Sequence, residues 1–130
     1  MLRNQSGYPD PTAERAMGHI EIERRRDSRR PMVYICAPYR GDPEANIEKA
    51  KEYCKYAIDQ HMTPIATHLL YPPVLGMTET PETRKIVMYM GKTIIRHCRE
   101  LWWFGKEPTE GMKEEIEYAD RQGLVVKHFV

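Results

Sequence analysis

The 130-residue sequence has little that sorts it quickly into a functional class. Its 20 lysines and arginines stand against 19 aspartates and glutamates, so no overall field exists to recruit nucleic acid or a charged membrane surface. Cysteine is scarce: Cys36, Cys54 and Cys98 are odd in number, widely spaced and set in apolar patterns. That usage excludes a disulfide framework and a zinc pattern, and it argues for reduced thiols in a cytoplasmic protein. No stretch approaches the roughly 18 apolar residues of a membrane span, and the first residues lack the apolar centre of a signal peptide. A glycine-rich phosphate loop is also missing; the best loop holds a single glycine, Gly41. No metal or cofactor is therefore expected. What is present is a hydrophobic content of 41%, enough for one domain with one core and too short a chain for a second.

The most informative stretch runs from Pro31 to Ala45. Met32 to Ala37 is a nearly continuous apolar run rich in strand formers, which suits a strand covered on both faces in a parallel sheet. Pro38 stops it, Gly41 permits a left-handed backbone, and Asp42-Pro43 supplies a helix cap followed by a proline at the first helical position. Strand, tight loop, helix is the predicted order. In an open α/β sheet such a loop lies at the carboxyl edge, where ligands bind. Tyr39, Arg40 and Gly41 are thus either an ordinary turn or part of a site.

Residues 1–30 read as an appendage, an amphipathic helix from Asp10-Pro11 to about Arg26 followed by the cluster Arg24, Arg25, Arg26, Arg29 and Arg30. Without interleaved aromatics the cluster reads as a solvated linker, and nucleic-acid binding is not expected of it. The domain proper is residues 31–130. Ile47, Ala50, Cys54, Ala57 and Ile58 form the apolar stripe of a helix from Asp42 to about Gln60. Thr63 to Leu70 reads as a second strand with His68 near its end, and Pro72 to Pro81 as a loop. Thr83 to His97 carries apolar residues at helical spacing, with Gly91 as a weak point inside. Glu100 to Gly105 reads as the third strand, its two tryptophans and phenylalanine as core mass, and Leu124 to Val130 as the fourth.

Between those last strands lies a helix from a Thr109 cap to about Ala119, with Met112, Ile116 and Ala119 as its buried stripe. At about 100° per residue, Glu115 falls beside Met112 and Ala119, whereas Lys113, Glu114 and Glu117 point to solvent. One acid faces inward. A half-buried carboxylate at the carboxyl edge of a sheet is either held by a partner or kept for chemistry. The alternation of strands and helices predicts an α/β, Rossmann-like parallel sheet of four to five strands with helices on both faces, plus the N-terminal helix.

Two stretches in this order, Tyr34-Ile-Cys-Ala-Pro-Tyr-Arg-Gly and Thr109-Glu-Gly-Met-Lys-Glu-Glu-Ile-Glu-Tyr-Ala, resemble the nucleoside 2-deoxyribosyltransferase-like superfamily. That group includes deoxyribosyltransferases, nucleotide N-glycoside hydrolases and many small proteins of phages and mobile elements. The resemblance implies Glu115 as nucleophile and Tyr34 as the tyrosine that hydrogen-bonds it. It implies substrate contacts from Ala37, Pro38, Tyr39, Arg40 and Gly41 in the first loop and from Thr109, Gly111 and Met112 at the second; His68, at the ligand-edge end of the second strand, is a further substrate-binding candidate by position. It also implies a small nucleoside or nucleotide as ligand and a homo-oligomer.

This chain departs from the pattern in three places. Pro38 stands where the family has a serine, no acid occurs near Gly91 where the family places an aspartate that assists the leaving base, and Arg99 replaces another aspartate. Glu79, Glu82 or a partner subunit could substitute for the missing acid. The function expected is N-glycosidic hydrolysis or deoxyribosyl transfer. The alternatives are a non-catalytic protein that sequesters a nucleotide signal, and a DNA-associated accessory domain.

Overall fold

The computed structural model describes residues 30–38, 41–75 and 80–130, with the side chains of His68, Pro72, Pro73 and Leu75 outside the description. The helix expected before Arg26 and the arginines 24, 25, 26 and 29 lie outside the described residues. Strand β1 (Met32–Cys36) leads to helix α1 (Pro43–Asp59), then β2 (Thr63–Ile65), α2 (Thr67–Leu75), α3 (Pro81–Ile95), β3 (Glu100–Phe104), α4 (Glu110–Arg121) and β4 (Val125–Phe129). All four strands are parallel, in the order β2-β1-β3-β4. This is the α/β Rossmann-like sheet, with four strands.

Alternation along β1 divides the core into two layers. Val33 and Ile35 turn to one face, where Ala57, Tyr53 and Cys54 of α1 pack with Trp102 and Phe104 of β3. Tyr34 and Cys36 turn to the other, with Ile95 of α3, Met112 and Ala119 of α4, and Leu101 of β3. Helices therefore cover both faces, and the central strands β1 and β3 read as nearly continuous apolar runs because both of their faces are buried. Removing a side chain such as Ile35 or Leu101 from water contributes about 1.5–3 kcal/mol; both are essentially unexposed. Trp102 is buried with its indole N–H donated to Glu100 Oε1 at 3.0 Å, and Phe104 stacks on Tyr53 with ring centres 4.0 Å apart.

Helix starts follow the sequence signals. Asp42 caps α1, its carboxylate accepting the Ala45 N–H at 3.2 Å, with Pro43 in the first turn. Gly41 before it has φ +98°, a conformation costly for any residue with a Cβ. Helix α3 begins two residues earlier than Thr83, because Thr80 is the cap and Thr83 closes a reciprocal capping box with it.

One segment corrects the sequence reading. The second strand ends at Ile65, not Leu70, and residues 67–75 form a helix where a strand end and a loop were expected. Strand β2 pairs with β1 through only three residues, Thr63, Pro64 and Ile65. Ala66 then accepts the Leu69 N–H at 3.1 Å, Ala66 and Thr67 are buried, and Leu69 packs into the α1-side core. Burial of these residues, rather than local propensity, decides the conformation. His68 is consequently a helix residue and not a strand-end one.

Because β2 lies on one side of β1 and β3 on the other, the chain reverses direction across the sheet between β1 and β3. In open α/β sheets the crevice outside the carboxyl ends of the strands at that point is where ligands bind.

Candidate functional site

Period-two alternation in β1 points Tyr34 and Cys36 to the same face, toward α4. From α4, Glu115 projects back, one turn beyond Met112 and one turn before Ala119, the two residues that anchor the helix in the core. The three side chains meet. Tyr34 Oη donates to Glu115 Oε2, and Cys36 Sγ lies 3.7 Å from Glu115 Oε1. Thr67, first residue of α2, sits 3.2 Å from Tyr34 Oη. With the phenolic proton given to Glu115, the Thr67 hydroxyl donates to the tyrosine oxygen.

Helix α3 closes the site with a glycine. A Cβ at position 91 would lie 2.8 Å from Glu115 Oε2 and 2.9 Å from Tyr34 Oη, nearer than real side chains approach. Gly91 is what lets the helix backbone come against the pair. Any larger residue there would have to displace one of the two oxygens.

The electrostatics follow from this enclosure. Burial pushes the Glu115 carboxyl up to about 7 from its ordinary 4.5, against the pull of the hydrogen bonds from Tyr34 and Cys36. Neighbouring Glu114 adds to the rise, and Lys92 of α3 opposes it. The Tyr34 hydroxyl and the Cys36 thiol are both raised well above their ordinary values, first by burial and then by the charge of Glu115. Both therefore keep their protons near neutrality and serve as donors. Glu115 is half-buried as a residue, and its carboxyl is desolvated. Tyr34 occupies one carboxylate oxygen, while among the described residues the other has a thiol beside it; S–H is a weak donor, and Oε1 retains lone pairs for other chemistry.

The remaining residues expected at the site fall as follows. Ala37 is buried and Pro38 half-buried, immediately past β1 at its carboxyl end. Tyr39 and Arg40 lie outside the described residues. Gly41 is exposed, and a Cβ there would meet none of the described residues within 4 Å. Thr109 caps α4 by accepting the Met112 N–H at 3.2 Å. A Cβ at Gly111 would make only an ordinary 3.8 Å contact with Met88. The Met112 side chain is core, and its carbonyl faces Cys36 Sγ at 3.9 Å. Sequence reasoning passed over Thr67, Cys36 and the role of Gly91. Cys36 had a readable signal, two residues from Tyr34 on a strand; Thr67 had none once its segment was read as a strand. Among the described residues, no three histidines, cysteines or acids are grouped to hold a metal ion, and no helix is long and apolar enough to cross a membrane.

Comparison with known proteins adds the following. Residues 31–129 match the model of a domain of unknown function, DUF7768, and the chain belongs to that family. Among solved structures it is similar to a 2-deoxyribosyltransferase from the psychrotolerant bacterium Bacillus psychrosaccharolyticus, with a TM-score of 0.61 and 14% identity over 75% of this chain and 71% of that one. The likeness is one of fold. No curated protein matches the chain by sequence.

Proposed function

We propose that this DUF7768 member breaks the N-glycosidic bond of a small nucleoside or nucleotide, with Glu115 as nucleophile and Tyr34 as the residue that holds it. The observation that carries the reading is the desolvated Glu115 carboxyl, hydrogen-bonded by Tyr34 beside the β1/β3 switch point. A fold similar to a 2-deoxyribosyltransferase supports the nucleoside as substrate class.

In the first step Glu115 Oε1 attacks the anomeric carbon of the sugar. A C–O bond forms, the C–N bond breaks, and its electron pair leaves with the base, which takes a proton from solvent. In the second, water attacks the anomeric carbon of the glycosyl ester, gives a proton to solvent and releases the carboxylate; a second base in place of water makes the reaction a transfer. Configuration is retained after two displacements. Tyr34 contributes by fixing Oε2, so that Oε1 is the oxygen presented.

The test is incubation with deoxynucleosides and deoxynucleoside monophosphates, with free base followed by chromatography. Base released by the wild type and not by Glu115→Gln supports the reading. Equal release from both excludes it.

A second reading, nucleotide binding without turnover, is favoured by Gly91. The resemblance would put the acid that assists the departing base near that position, and α3 presents there a backbone with no room for a side chain. Loss of an acid catalyst costs roughly 10²–10⁴ in rate. Saturable binding of a nucleotide with no base released by either protein selects this reading.

A further inference from the structure

We propose that Cys36 is a positioning residue for Glu115: its thiol donates to Oε1 and steadies the ionised carboxylate while Tyr34 holds Oε2. The proposal rests on the reading of Glu115 as nucleophile and extends it to a residue that would otherwise count as core.

The geometry gives the thiol two acceptors and one proton. Sγ lies 3.7 Å from Glu115 Oε1 and 3.9 Å from the Met112 carbonyl oxygen, both within the reach of a sulfur donor. Cys36 is fully buried, so no water competes for that proton. A carboxylate is the stronger acceptor of the two, and the S–H turns to Oε1 when Glu115 is ionised. When Glu115 is protonated or esterified through Oε1, that oxygen accepts poorly, and the S–H turns to Met112. The donor thus favours the charged state over the neutral one. In the proposed reaction this assists the step in which the ester releases Glu115 as a carboxylate, since the group becomes a better acceptor as charge develops.

Among the described residues, the ionisable groups acting on Glu115 are Tyr34 and Cys36 from β1, Lys92 from α3, and Glu114 on its own helix. Half-buried Lys92 is engaged with exposed Glu114 at 2.9 Å, and the two charges act on Glu115 in opposite directions. Tyr34 acts on the other oxygen. Cys36 is therefore the group whose removal changes the surroundings of Oε1 alone.

The experiment follows the Glu115 side-chain carboxyl by carbon NMR in protein labelled at glutamate, its signal assigned by its loss in Glu115→Gln. Full-length wild type, Cys36→Ala and Cys36→Ser are titrated in parallel, each shown folded by its amide spectrum. Loss of a weak thiol donor to a charged acceptor moves the midpoint of Cys36→Ala upward by roughly half a pH unit. Serine's shorter bond sets its hydroxyl back from Oε1, so Cys36→Ser restores at most part of the shift. An unchanged or lowered midpoint in Cys36→Ala overturns the proposal. The titration is independent of turnover: a wild type that releases no base refutes the nucleophile and leaves the thiol's hold on Glu115 measurable.

Discussion

Replacing Glu115 by glutamine should stabilise the protein in mildly alkaline solution and do little to it in acid. In the unfolded chain this carboxyl loses its proton near its ordinary 4.5; in the folded protein burial holds the proton until about 7. Between those values the folded state binds more protons than the unfolded one, so this group's contribution to stability falls as pH rises through the window. Each unit of displacement corresponds to about 1.4 kcal/mol, and the whole window to about 3 kcal/mol. Glutamine keeps the shape and an oxygen for the Tyr34 hydroxyl but never has to carry the charge. Weaker hydrogen bonds to a neutral amide lower the variant's stability by about 1 kcal/mol at either pH and so cancel from the comparison. The interval from pH 5 to pH 8 covers most of the window, so the advantage of Glu115→Gln over wild type should be about 2–3 kcal/mol larger at pH 8 than at pH 5. Urea unfolding followed by far-ultraviolet circular dichroism at the two pH values measures it, and taking the difference cancels the titration of every other group. The same increment at both pH values would refute the reasoning, because it would mean that the carboxyl is not desolvated in the folded state.

Three further outcomes follow from the same cluster. Gly91→Ala places a methyl group 2.8 Å from Glu115 Oε2, so it should destabilise by about 1–3 kcal/mol despite alanine's better helix propensity; a stabilised variant in urea unfolding would show that the pair gives way freely. If base is released, the rate should climb roughly tenfold per pH unit below about 7 and level off above it, since the attacking carboxylate must be ionised; a profile flat from pH 5 to 8 would remove Glu115 from the rate-limiting step. Thr67→Val deletes the hydroxyl that donates to Tyr34 Oη while keeping its volume, and should cost about 1 kcal/mol in thermal or urea unfolding; no loss would mean the contact is not a hydrogen bond in solution.

How much of this arrangement could be read from residues alone depends on how many segments each feature needs. Features confined to one segment were legible: the apolar run of β1, the cap-proline start of α1, and the helical phase that turns Glu115 inward. Each is a local rule with a local cause. The β2 to α2 boundary was not legible, because Thr63 to Leu70 satisfies strand propensity and only the burial of Ala66, Thr67 and Leu69 against other segments makes it turn. The site lies between these cases. Strand alternation puts Tyr34 and Cys36 on one face, and helix phase puts Glu115 on one stripe, but the sheet order brings the two together, and Gly91 supplies the space from a third element. A glycine inside α3 looks like a defect on its own helix, where it costs about 1 kcal/mol relative to alanine. Against the Tyr34–Glu115 pair it is the only residue that fits, so the same atom count is a loss in one frame and a requirement in the other. The cost is tolerated because removing it would push apart two oxygens that the fold has already desolvated, and an unpaired buried carboxylate costs more than a weakened helix.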